Sequence, residues 1–279
     1  MVYIVYDEYM NLKKFPNGIL PLDIFISSMQ KNRVIDSVEG ADGVIDKGYT
    51  FTTRSVTAEI GLLPYDTMDY RLLRDEAFAF FVNHDFLYVS EKYQKGKKYK
   101  VTVVDSFIPE RLTQTMARGT FSLEMSELPF AESIGTTQDI EQNGINANDE
   151  LWGFGMGLIA EDESLKYTHE TNNFRIYNAG NQPIHPFEQE LKIKISNVVG
   201  SLSYLQLKNK TNGTTFRVNE EVRDSQTILL DGPNITSNGL QFMRKTNKEF
   251  IELVPGWNEF ELTGISRART EFDFRFYYA

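Results

Sequence analysis

Apolar and polar positions alternate over much of the chain. In 116–126, Ala117, Gly119, Phe121, Leu123 and Met125 interleave with Arg118, Thr120, Ser122, Glu124 and Ser126. This period of two belongs to a strand with one face buried and one in water. Residues 99–107 repeat it with Tyr99, Val101, Val103 and Phe107, interrupted at Asp105. Leu191, Ile193 and Ile195 alternate with Glu190, Lys192, Lys194 and Ser196. Phe272, Phe274, Phe276 and Tyr278 alternate with Glu271, Asp273 and Arg275 at the end of the chain. Slipping any of these strands by one residue would turn its apolar set into water, so register is strongly specified.

One segment has a different period. Met68, Leu72, Leu73, Ala77, Phe80 and Phe81 recur at helical spacing, which predicts an amphipathic helix over 66–83. Asp66 is placed to cap it and Asp69 to sit in its first turn, where the helix dipole favours negative charge. His84 and Asp85 close the segment and 86–89 restarts a strand. Residues 39–47, EGADGVIDK, hold two glycines and three acids ahead of a strand near Tyr49. This pattern predicts a long hairpin or projecting loop.

From Glu132 to Glu150 the chain turns polar and rich in Asn and Gly, the composition of a linker. The expected organisation is therefore a first domain over 1–133, a linker over 134–149 and a second domain over 150–279. Turn signals at 178–183, 209–213, 231–234 and 255–258 punctuate the second half, as in a β-sandwich or jelly roll. The predicted fold class is mainly β. The first domain is a sandwich or barrel-like unit with one α-helix and the projecting hairpin. The second is a β-sandwich.

Composition supports this picture. Hydrophobic residues make up 41% of the 279 and charged residues 24%, enough apolar material for packed cores. The 20 Phe and 14 Tyr favour pleated surfaces. The net charge of −10 argues against nucleic-acid binding as the main task. Lys92, Lys95, Lys97, Lys98 and Lys100 form the densest basic run and read as a solvated turn and strand start. The chain has no cysteine, which removes disulfides and thiolate chemistry and fits folding in a reducing cytoplasm. No secretory signal is visible at the N-terminus, and no apolar run approaches the length of a membrane span. The sequons at Asn209, Asn212 and Asn234 read as chance.

Catalytic signals are sparse. The three histidines, His84, His169 and His185, form no metal-binding spacing and read as loop residues. Residues 153–157, GFGMG, lack the third glycine and the βαβ setting of a nucleotide loop, and their flanks suggest a strand. Glu188, Glu190, Asp224 and Asp231 are formal candidates for a glycosidase pair, without a feature that singles them out. Trp257 and Tyr204, with Tyr167, are candidates for stacking on a sugar face. No cofactor is implied.

The order of these features resembles a known family. The segment GADGVIDKGYTFTTRSVTAEI (residues 40–60), the helix after it, the strands at 86–91, 99–107 and 116–126, FRIYNAGNQPIHP (174–186) and LVPGWNEF (253–260) together resemble siphophage distal tail proteins. That resemblance implies a structural, non-enzymatic virion protein made in the host cytoplasm and located at the distal end of the tail. It implies a hexameric ring that joins tail tube and tape-measure protein to the tip protein and receptor-binding proteins, with DNA only as passing cargo. The second domain would be galectin-like or carbohydrate-module-like. By the same analogy the hairpin, with Gly40, Asp42, Gly43 and Gly48, is an arm that clasps a neighbouring subunit. The acidic balance suits a ring around a DNA channel. The alternative is a carbohydrate-binding module that contacts host cell-wall sugars.

Overall fold

The computed structural model describes residues 2–40, 42–125, 127–145 and 151–279. Strands dominate, and the chain divides into two compact units, Met1–Ala131 and Glu132–Tyr278.

The first unit contains β1 (Tyr3–Tyr6), β2 (Leu12–Lys13), β3 (Ile19–Ile26), β4 (Lys31–Asp36), β5 (Ile45–Phe51), β6 (Arg54–Leu62), α1 (Thr67–Val82), β7 (Leu87–Glu91), β8 (Lys97–Val103), β9 (Glu110–Thr113) and β10 (Met116–Met125). Seven strands follow one another in the order β2-β1-β7-β8-β10-β6-β3. The longest ladder pairs β10 with β6, from Ala117 opposite Leu62 to Met125 opposite Arg54. By contrast, β8 and β10 share only Leu123–Val103 and Glu124–Thr102. The sheet turns back on itself at this short joint. The hydroxyl of Tyr3 on β1 donates to the carbonyl of Glu59 on β6 at 3.3 Å, which links two strands that are not neighbours in this order.

The alternation read in 116–125 holds in full. Ala117, Gly119, Phe121, Leu123 and Met125 are buried. Phe107 behaves differently from expectation. The chain leaves the sheet at Val103, yet the ring of Phe107 returns to stack on Phe121 with centroids 4.2 Å apart. Phe81 from α1 meets Phe121 edge-on at 4.7 Å. Ring burial, rather than the ladder, fixes this segment.

Helix α1 starts as its sequence dictates. The Asp66 carboxylate accepts from the amides of Met68 and Asp69 at 2.7 and 2.9 Å. Asp69 in turn accepts from the Tyr65 amide at 2.8 Å. Leu73, Ala77, Phe80 and Phe81 are buried. Met68 and Leu72 are not, being 72% and 64% exposed. Each residue advances the helix by roughly 100°, so these two leave the line through Leu73 and Ala77. The basic run also differs from the solvated reading. Lys98 is only 3% exposed, and its ammonium lies 4.2 Å from the centre of the Tyr88 ring. Lys100 covers Phe86 at 4.1 Å, and burial lowers the pKa of Lys97. Long basic side chains lay their stems along rings here.

The second unit contains β11 (Ala131–Ser133), α2 (Thr137–Asn143), β12 (Thr168–His169), β13 (Asn173–Asn178), β14 (Leu191–Val199), β15 (Leu205–Asn209), β16 (Thr215–Val218), β17 (Ile228–Asp231), β18 (Asn234–Ser237), β19 (Leu240–Gln241), β20 (Gly256–Thr263), β21 (Arg267–Phe274) and β22 (Tyr277–Tyr278). One sheet runs β12-β21-β14-β17-β18-β19 and the other β13-β20-β15-β16. Phe174 and Phe260 of the smaller sheet meet Phe272 of the larger at 6.0 and 4.9 Å. The two apolar faces thus close on each other as a β-sandwich.

Part of the polar stretch expected as a linker is folded into this unit. Thr136 donates its amide to Asp139 at 2.7 Å, which starts α2. Ile140 is buried, and the Thr137 hydroxyl donates to the Phe272 carbonyl at 3.0 Å. The remainder, 146–150, lies outside the described residues. The GFGMG segment is a turn and no strand. Gly157 has φ +72, and a Cβ there would sit 2.4 Å from the Ala179 carbonyl oxygen. The strand expected through Tyr278 breaks at Arg275, where the Phe276 amide donates to the Ser133 hydroxyl at 3.0 Å. His169 is no loop residue either. It is buried on β12, and its ring lies parallel to Phe174 at 4.6 Å.

Two outcomes follow from this packing. Phe121→Ala costs the first unit about 3–5 kcal/mol, read as a lower midpoint in urea denaturation. Burial pulls the pKa of His169 below the ordinary 6.5. As pH falls through that value, the unfolded chain binds a proton before the folded one does. Stability of the second unit is therefore flat above 6.5 and declines below it. His169→Phe keeps the ring stack and removes this slope, measured by denaturation between about pH 5 and 8.

Candidate functional site: an exposed hairpin

The strands β4 and β5 form a sheet of their own. Lys31 pairs with Phe51, Asn32 with Thr50 and Arg33 with Tyr49, and after an irregularity Ile35 pairs with Asp46 and Asp36 with Ile45. Every residue of β4 is exposed, as is all of β5 up to Phe51. The ladder is closed internally and no face of it is buried. Val34, Ile35, Val38, Val44, Ile45 and Tyr49 are left in water. Exposed apolar residues concentrated on one projecting element mark a surface made for contact.

Local chemistry holds the hairpin in shape. Gly48 has φ +107 at the irregularity, and its amide donates to Asp46 at 3.0 Å. Arg33 pairs with the same carboxylate at 2.7 Å. These contacts, the Gly48 amide first, hold the Asp46 pKa below its ordinary value. Lys47 pairs with Asp36. Lys31 lies 4.2 Å over Tyr49, and Tyr49 meets Phe51 edge-on at 5.4 Å. At the base, Phe51 packs against Phe130 at 5.9 Å.

The residues singled out in the sequence fall as follows. Gly40 and Gly43 lie in the loop between β4 and β5 with φ +81 and +91, Asp42 lies beside them, and Gly48 lies within β5. The hairpin, Lys31–Phe51, extends beyond both ends of the 39–47 segment that predicts it. Its first strand, KNRVID, shows no alternation, because a strand exposed on both faces has no apolar side to display. The basic and acidic partners Arg33, Asp36, Asp46 and Lys47 carried no motif signal at all.

Trp257 and Tyr204 stand near opposite ends of β20. Trp257 precedes its central residues and packs on Tyr177 at 5.0 Å. Tyr204 lies against Gly264, just past the strand. The structure does not bring them together. Arg175 lies over the Trp257 ring at 4.1 Å and Arg217 over the Tyr204 ring at 4.4 Å, so a guanidinium occupies a face of each. Tyr167 is fully buried and cannot reach a ligand in the folded unit. Glu190 pairs with Arg275 at 2.9 Å and Asp231 lies 3.9 Å from Lys192. Asp224 lines a cavity of about 340 Å³ with Glu170, Arg267 and Arg269. Glu188 is exposed in a turn. His84 contacts Lys13, and His185 lies 3.4 Å from Glu252. Among the described residues no three His, Asp or Glu side chains are grouped as a metal would require, and no helix is long and apolar enough to cross a membrane.

Residues 6–125 match the model of the phage tail protein RIFT-related domain. The fold of the whole chain also has a solved counterpart. It is similar to the crystal structure of the Dit protein of phage SPP1, described as a paradigm of the hub adsorption apparatus in phages infecting Gram-positive bacteria. That similarity covers 99% of this chain and 100% of the other, with 11% identity and a TM-score of 0.68. The phage p2 baseplate in its activated conformation, with Sr and with Ca, aligns over 98% and 99% of this chain at 10% and 11% identity and TM-scores of 0.42 and 0.43. No curated protein matches the chain.

Gly48→Val puts a branched side chain where the backbone favours glycine. The expected cost is about 1 kcal/mol or more, confined to the hairpin. Amide hydrogen exchange over 31–51 speeds up, while exchange in β10 and β21 stays unchanged.

Proposed function

We propose that this chain is the distal tail hub of a siphophage, a structural protein without catalytic activity that assembles as a six-membered ring. The observation that carries this reading is the similarity in fold to the SPP1 hub protein, which spans both units and covers 99% of this chain and 100% of the other. The match of 6–125 to a phage tail domain supports it independently of the fold.

In this reading the first unit forms the ring and continues the tail tube, and the hairpin clasps the adjacent subunit. The second unit offers its surface to tip components and receptor-binding proteins. The tape-measure protein and DNA occupy or cross the lumen, and the net charge of −10 keeps passing DNA from adhering. The protein is made in the host cytoplasm and resides in the virion at the distal end of the tail. An arm that is ordered by its own ladder loses little entropy on docking, which favours assembly.

The test is a mass measurement. Light scattering of the purified protein, alone and with its tail-tube and tip neighbours, gives six chains, and electron microscopy gives a ring. A variant with residues 34–46 replaced by a two-residue turn keeps its circular dichroism and yields single chains. A wild-type protein that stays a single chain under both conditions rules the ring out.

A further inference from the structure

We propose that the apolar pocket at the open edge of β1 receives the acidic hairpin tip of a second copy of this chain. This rests on the ring reading above and names the surface that accepts the arm.

The pocket is formed by residues 3–5 of β1 and by 12–15, and it encloses about 430 Å³. Its walls are Tyr3, Ile4, Val5, Leu12 and Phe15, with Lys13 and Lys14 at the rim. It sits where the sheet is unfinished. β7 pairs with all of Tyr3–Tyr6, whereas β2 pairs only with Val5 and Tyr6. The outer edge of Tyr3 and Ile4 thus has no strand beside it in the sheet order, and an open edge is a template for another segment of main chain.

Charge identifies the occupant. Lys13 is already engaged by the Phe80 carbonyl at 3.1 Å and by His84, and burial lowers its pKa against the opposing pull of Asp7 and Glu8. Lys14 is exposed, and among the described residues it makes no ion pair. The hairpin tip is the complement. Residues 36–46 contain Asp36, Glu39, Asp42 and Asp46 and no lysine or arginine. Asp36 and Asp46 are used within the hairpin, and among the described residues Glu39 and Asp42 have no ionic partner. Val38 and Val44 flank them in water. Two apolar side chains and two unpaired carboxylates thus face an apolar pocket with an unpaired ammonium. The other large apolar groove of this unit, about 680 Å³ beside α1, has Asp75 and Asp105 and no lysine or arginine in its lining, whereas the β1 pocket is lined by two lysines and no acid.

The geometry of such a contact matters. Tip and pocket are different surfaces of one chain, so their union is head-to-tail, and head-to-tail contacts generate rings when the rotation closes. Screening weakens the ionic part as the Debye length falls from about 10 Å at 0.1 M salt to about 3 Å at 1 M, and leaves the apolar part in place.

The absence of cysteine permits a clean test. The pair Leu12→Cys with Val44→Cys in one chain, under mild oxidation at low salt, is expected to give a ladder of covalent multimers up to six chains. Either substitution alone stops at dimers. Adding Lys14→Glu lowers the yield of multimers several-fold, and adding Glu39→Lys with Asp42→Lys to that variant restores it. No ladder from the first pair, or a ladder indifferent to Lys14→Glu, overturns the proposal. The pair Ala79→Cys with Val44→Cys, Ala79 being an exposed residue in the lining of the α1 groove, then separates the causes. A ladder from this pair moves the acceptor to the α1 groove and leaves the ring standing. With neither ladder formed and a mass of one chain, the ring reading falls as well.

Discussion

The structure depends on pairing two faces that differ. In each unit, main-chain ladders satisfy the backbone while alternate side chains go to opposite sides, so one apolar face per sheet must find cover. In the first unit, α1 and the returning Phe107 cover the face marked by Phe121. In the second, two sheets cover each other across Phe174, Phe260 and Phe272. Remove the aromatic contacts and the ladders remain hydrogen-bonded, but the two faces lose the reason to stay together. That is why rings rather than turns decide where 104–107 runs.

The hairpin of β4 and β5 obeys the first half of that constraint and ignores the second. Its backbone is satisfied within itself, yet it has no covered face. Soluble proteins normally suppress such elements, because exposed strands with apolar side chains recruit other chains. A hairpin stiffened by Gly48, Asp46 and Arg33 while Val34, Ile35, Val38 and Val44 remain in water makes sense when its cover is supplied by another molecule. The open edge of β1 is the matching incompleteness elsewhere in the same unit.

Cations over rings recur through the molecule. Lys98 on Tyr88, Lys100 on Phe86, Arg175 on Trp257 and Arg217 on Tyr204 place charge against aromatic faces, where quadrupole attraction and stem burial act together. The consequence reaches function. A basic run that looks free for an anion is largely tied to the sheet, and a tryptophan that looks ready for a sugar already carries a guanidinium.

Where local physics suffices, the sequence spoke clearly. Alternation marked β10, β14 and β21 with the correct buried face. Asp66 and Asp69 marked the start of α1, and the glycines at 40 and 43 marked a reversing loop. These features depend on side-chain period and on backbone preferences that act over a few residues. The rest needed distant partners. Nothing near Met68 and Leu72 says that they stay in water. Nothing near Lys98 says that Tyr88 will cover it, and nothing in a polar stretch around Thr137 says that β21 will hold it. The bounds of the hairpin belong to the same class. Burial and charge partnership are properties of pairs far apart in the chain, so only the tertiary structure decides them.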